Sequence, residues 1–162
     1  LFALSYSKLG LGLPLLVFLL VLLSLAFIVV YDLRHTIVPL HGSICLFAFS
    51  FTFLILTSTS LATLGTALLT AGAIGAGFLA LHVLSKGRAM GLGDAPVALS
   101  LSLLAAPYAF PGLLFSFWIG ALFGIVILFA RRGGPTMGIE VPFVPFMAAG
   151  FLLAYLTSWN PF

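Results

Sequence analysis

From Gly10 to Val30 the chain carries no charge and a single hydroxyl, that of Ser24. A run of about twenty apolar residues matches the hydrocarbon thickness of a bilayer when it is helical. Within that slab every backbone N–H and C=O must pair inside its own segment, so helix is the structure such a run takes. Pro14 lies in its first turns, where a missing N–H does little harm.

Further apolar runs follow, about Ser43 to Thr57, Leu61 to Leu84, Ala95 to Ala106, Gly112 to Ala130 and Val141 to Ser158. Pro39 and Gly42 are expected to break the chain before the second run, and Ser58-Thr59-Ser60 to close it. The fourth run, bounded by Pro107 and Pro111, is short for a full crossing. Trp159 closes the last run, where an amphipathic ring suits the interface. With 63% apolar and 6% charged residues, the composition excludes an ordinary soluble domain, in which about a quarter of residues are charged. The expected fold is an all-α polytopic bundle of about six transmembrane helices, forming one domain over residues 1–162. In the third run, small residues four apart, such as Ala73 and Gly77, predict a helix–helix contact face.

Six crossings place residues 31–42, 85–94 and 131–140 on one side. That side holds Arg34, Lys86, Arg88, Arg131 and Arg132, five of the six basic residues; Lys8 is the sixth. The asymmetry predicts that this side faces the cytoplasm. No basic stripe of the nucleic-acid-binding kind is present. Cys45 is the single cysteine, which excludes an internal disulfide and a Cys-rich zinc site. His35 and His41 have no third ligand at metal spacing, so neither a metal nor another cofactor is expected. His82, inside the third run, reads as a packed or snorkelling side chain. Leu1 is not an initiating methionine, and the sequence reads as one missing an N-terminal portion.

The acids are three: Asp32, Asp94 and Glu140, all at the ends of runs on the predicted cytoplasmic side. Asp94 closes Met90-Gly91-Leu92-Gly93-Asp94, and an acid beside hydrocarbon points by default to a functional site. Two carboxylates sharing a site cannot both ionise, so one keeps a proton while the other activates water. The alternatives are a solvated Asp32 paired with Arg34, and an Asp94 that caps a turn or helix. If Asp32 follows a helix C-terminus and Asp94 precedes an N-terminus, the helix dipoles predict that Asp94 is the more often ionised. Glu140 is either a receiver for a basic peptide or an exposed acid favoured near a helix start.

Three motifs carry a resemblance. Asp32-Leu33-Arg34-His35-Thr36-Ile37-Val38-Pro39 resembles the Asp-Leu-Arg-x-x-x-Ile-Pro segment of bacterial type IV prepilin peptidases. Met90-Gly91-Leu92-Gly93-Asp94 resembles their Gly-x-Gly-Asp segment. Glu140-Val141-Pro142-Phe143-Val144-Pro145-Phe146 is similar to the Ile-Pro-Phe-x-Pro-Phe start of their last helix.

The resemblance implies a membrane aspartic endopeptidase of the inner membrane with Asp32 and Asp94 as catalytic residues. It further implies cleavage of the basic leader from prepilins or pseudopilins at the cytoplasmic face. Gly91, Gly93, Arg34, Pro39 and Glu140 would support the loops or the substrate. The sequence departs from the family pattern at Pro96, often Lys, and at Leu40, often Asp or Asn; both bear on how substrate is held. The paired Cys-x-x-Cys region that accompanies N-methylation in many members does not occur in this sequence, which is either truncated before it or a peptidase-only form; cleavage and not methylation is the expected activity.

Two other readings compete. Presenilin-like proteases share Tyr-Asp and Gly-x-Gly-Asp but end in a Pro-Ala-Leu motif not found here. A small transporter or assembly factor would use the acids as a proton relay, placed near mid-membrane at broken helices. Neither the oligomeric state nor the particular substrate is written in the sequence.

Overall fold

A computed structural model describes residues 2–88, 90–130 and 142–158. Among them the chain is all helical: α1 (Phe2–Leu9), α2 (Leu13–His35), α3 (Leu40–Thr57), α4 (Leu61–Leu84), α5 (Asp94–Leu104), α6 (Ala109–Ala130) and α7 (Val144–Thr157). The six apolar runs are α2 to α7, and α1 is an added short helix that the sequence reading did not foresee. Four helices are long and apolar enough to cross a membrane: α2, α3, α4 and residues Ala109–Ile127 of α6. At 1.5 Å per residue, α5 extends roughly 16 Å and α7 roughly 21 Å, against a hydrocarbon core of roughly 30 Å.

Short connections force neighbours to run antiparallel. α2 packs on α3, α4 on α5, and α6 on α7, and α5 also contacts α3, α6 and α7. α5 is therefore the central helix, with nine of its eleven residues buried. Its core side chains Val97, Ala98, Leu101 and Leu104 meet Phe18 and Ile28 from α2, Phe78 from α4, and Met147 and Phe151 from α7 in one cluster. The hydroxyls of Ser100 and Ser102 would be costly there. Each donates to the carbonyl four residues back, of Pro96 and Ala98, at 2.7 Å.

Two expectations need correction. Ala73 and Gly77 are exposed, so they are not a contact face within the chain. The buried face of α4 is Ala67, Ala71, Ile74, Gly75 and Phe78. The helix offered two stripes of small residues at the same spacing, and α5 took the one through Ala67, Ala71 and Gly75, where a Cβ on Gly75 would come within 3.0 Å of Leu99. Gly42, expected to break the chain, lies inside α3 and lets it close on Ile28 of α2.

The bundle has a cavity at each end. At the α3–α4 turn, a space of about 420 Å³ is lined by Thr57, Ser58, Thr63, Thr66 and Thr70, with Pro107 across from them. At the opposite end, where α2 and α4 finish and α5 and α7 begin, the cavity is about 1480 Å³.

Candidate active site

The larger cavity holds two acids. α2 runs past the apolar stretch to His35, because Asp32-Leu33-Arg34-His35 contains no helix breaker. Thr36 closes it in the left-handed region at φ 52°, its N–H donating to the Asp32 carbonyl at 2.8 Å. Asp32 thus sits in the last helical turn and is only 4% exposed. Its Oδ2 has no hydrogen-bond partner among the described residues. The backbone N–H of Val144, the first residue of α7, faces the same carboxylate.

Asp94 is the first residue of α5 and is 7% exposed. The segment from Gly91 to Asp94 is a closed turn. The Asp94 N–H donates to the Gly91 carbonyl at 3.2 Å, and the Gly91 N–H donates to Asp94 Oδ2 at 3.0 Å. The turn-capping role expected of an ordinary Gly-Asp turn is therefore present, in a residue that is also buried against a cavity.

Asp32 and Asp94 line that one cavity, close enough to interact electrostatically. Val38, Leu79, Met90, Leu99 and Phe143 supply apolar walls, and Lys86 and Arg88 bring positive charge. The arrangement sets two carboxyl groups and apolar walls around one cavity, a surface that suits water and an extended peptide.

Gly93 explains how the two acid-bearing segments approach. Its φ is −68°, so no left-handed backbone is involved. A Cβ there would lie 2.5 Å from the Cβ of Val38, in the α2–α3 connection. Close approach at Gly93 is thus made to the protein's own first motif. Gly91 is less restricted, since a Cβ would meet Asp94 Oδ2 at 3.4 Å.

The remaining expected residues divide. Arg34 is exposed in the last turn of α2 and is not among the cavity-lining residues, while Pro39 precedes α3 as its N-terminal cap with an extended backbone. Solvation of Asp32 beside Arg34 is excluded by its burial. Glu140 lies outside the described residues. Leu40 and Pro96, the two departures from the family pattern, both line the cavity.

The helix-dipole surroundings of the two acids differ less than expected. Asp32 does lie near the end of its own helix, but α7 begins against it and offers an N–H. Asp94 accepts the Gly91 N–H at 3.0 Å, and the Val144 N–H faces Asp32.

The model of the type IV leader peptidase family matches residues 16–129, which span both acids. The chain belongs to this family. Among curated proteins and among solved structures, none matches the chain. The matched span ends before the third motif, so Pro142 and Phe143 enter the site on the evidence of the cavity alone. The protein is accordingly a membrane protein of peptidase type, with a protein substrate.

Sequence reasoning missed the contributions of Val144 and His82. Val144 acts through its backbone, which no residue pattern advertises. His82 reads from the sequence as a packed or snorkelling side chain; in the fold its Nδ1 lies 2.9 Å from the carbonyl oxygen of Met90. Its position in the last turn of α4, a few residues ahead of the Gly-x-Gly-Asp turn, was the available signal.

Proposed function

We propose that the protein is an aspartic endopeptidase that removes the leader from type IV prepilins or pseudopilins at the cytoplasmic face of the inner membrane. Residues 1–162 would form its single peptidase domain. The observation that carries the reading is the convergence of Asp32 and Asp94, both buried, on one cavity, with an Asp32 oxygen left without a partner among the described residues.

A buried acceptor without a partner costs about 1–3 kcal/mol or more in an ordinary fold, and functional sites are where such costs persist. In the proposed mechanism the pair carries one proton. The ionised member takes a proton from water as it attacks the scissile carbonyl, and the protonated member donates to the carbonyl oxygen. The proton belongs to the pair, and neither acid is given a fixed role.

The substrate end of the reading comes from family membership and charge. Family substrates place a basic leader ahead of an apolar helix, and the apolar walls of the cavity suit the residues around the cut. Arg34, Lys86 and Arg88 lie in segments at the cavity end, which supports a cytoplasmic orientation for it. Arg34 and Pro39 would keep the α2–α3 connection in place, and Glu140 would meet the basic leader.

The test is direct. Purified protein in lipid is incubated with a prepilin-like peptide bearing a basic leader and an apolar segment. Cleavage at the junction is expected. An intact peptide under conditions where the protein remains folded overturns the proposal.

A further inference from the structure

We infer that His82 is a positioning residue that holds the Met90–Gly91 peptide so that its N–H stays on the Asp94 carboxylate. One peptide unit has its two polar ends engaged. Its carbonyl, on Met90, lies 2.9 Å from His82 Nδ1, and its N–H, on Gly91, donates to Asp94 Oδ2 at 3.0 Å. A carbonyl only accepts, so the Nδ1 of His82 carries the hydrogen. The chain imidazole, peptide, carboxylate is a continuous run of donors and acceptors pointing one way, and such runs polarise one another.

The backbone places the imidazole there. α4 ends with Lys86 at φ 53° and Gly87 at φ +76°. The Gly87 N–H donates to the His82 carbonyl at 2.9 Å, and the Lys86 N–H to the Val83 carbonyl at 3.1 Å. This pair of bonds is the Schellman arrangement, which reverses the chain at the helix end. The reversal folds the segment after Gly87 back over the last turn, where a Cβ on Gly87 would meet His82 Cε1 at 3.4 Å. Met90 is thereby delivered to the ring eight residues after it.

The packing alternative makes the opposite forecast about substitutions. An asparagine side chain places a donor the same number of bonds from Cα as histidine Nδ1, while glutamine places one further out, at the distance of Nε2. Phenylalanine keeps a ring and loses the donor. Positioning therefore requires Asn to substitute better than Phe or Gln, and packing requires Phe to substitute best.

The inference deepens the peptidase reading and rests on it for its meaning, so the experiment carries one readout with activity and one without. Protein labelled with carbonyl-13C methionine and 15N-glycine shows two linked pairs, Met90–Gly91 and Met137–Gly138, separated by Met137→Leu. In the wild type the Gly91 amide proton is expected downfield and slow to exchange. In His82→Phe the exchange should quicken by about tenfold or more, the scale of a lost hydrogen bond to a charged group. Cleavage should fall by roughly ten- to a hundredfold, as expected for a misplaced catalytic group. His82→Asn should restore most of both, and His82→Gln little. Retention of the Gly91 signal and of cleavage in His82→Phe, with loss in His82→Asn, overturns the inference. A wild type that cleaves nothing while its Gly91 amide responds as described supports the positioning and overturns the peptidase reading instead.

Discussion

The two ends of this bundle both hold polar groups around a cavity, and they differ in what those groups lack. At the α3–α4 end most of the hydroxyls are spent on nearby backbone carbonyls. Thr57 donates to Phe53, Ser58 to Leu54, Thr66 to Thr63 and Thr70 to Thr66, all to backbone carbonyls at 2.6–3.0 Å. At the other end Asp32 keeps an oxygen with no partner among the described residues, beside a second buried acid. A hydroxyl-rich hollow is thus not by itself a site. Unspent capacity on an acid that lines a cavity is the better marker; the buried Ser50 Oγ also lacks a partner but lines neither cavity.

The comparison breaks or holds on substitutions at each end. The largest effect belongs to Asp32→Asn and Asp94→Asn, each expected to lower cleavage by roughly a thousandfold or more, since an amide replaces neither acid nor base. Near-normal turnover in either variant would remove the chemical distinction between the ends.

Gly93→Ala comes next. Its new Cβ would stand 2.5 Å from the Val38 Cβ, so the two acid-bearing segments must separate. A loss of roughly ten- to a hundredfold is expected, and Gly91→Ala, with only a 3.4 Å contact, should lose much less. Combining Gly93→Ala with Val38→Gly should recover part of the activity. Equal losses at both glycines would show that close approach is not the reason for Gly93.

At the opposite end Thr66→Val and Thr70→Val should leave the cleavage rate within about twofold, because surface-like changes away from the chemistry rarely cost more. A large loss there would give the second cavity a role in turnover. The smallest effect is on stability alone. Ser60 caps α4, and its side chain and that of Thr63 bond each other's backbone N–H at 3.2 Å. Ser60→Ala should destabilise the fold by about 1 kcal/mol, measured by thermal or denaturant unfolding, with no change in turnover.

The sequence made the helices easy to see and their ends harder. Leu61 to Leu84 was legible at both limits, because Ser60 is a capping residue and a charged, glycine-containing stretch follows. The end of α2 was not, because a drop in hydropathy at Asp32 marks where lipid stops and not where hydrogen bonding stops. Helix propensity in Leu33, Arg34 and His35 carries α2 one turn further. The acid pair was visible because carboxylates are so rare in this composition. Its surroundings were hidden for a different reason. The Val144 N–H comes from a residue more than a hundred positions from Asp32, and only the packing of α7 on α2 brings them together. Which small-residue face of α4 is buried was equally undetermined, since both have the same spacing.

The shortness of α5 has a consequence for how the protein is made. An eleven-residue segment headed by an acid is well below the roughly 17 residues at which a helix holds itself across a bilayer. During synthesis it has no stable place in lipid of its own. It must enter together with α4, on which it packs, or wait at the surface until α3 and α4 offer it a groove. On either route the two acids come together only once α2, α3 and α4 are in the bilayer. A ribosome-bound chain ending shortly after α5 should therefore leave a cysteine in place of Asp94 open to aqueous thiol reagents, and a chain extended through α7 should react more slowly.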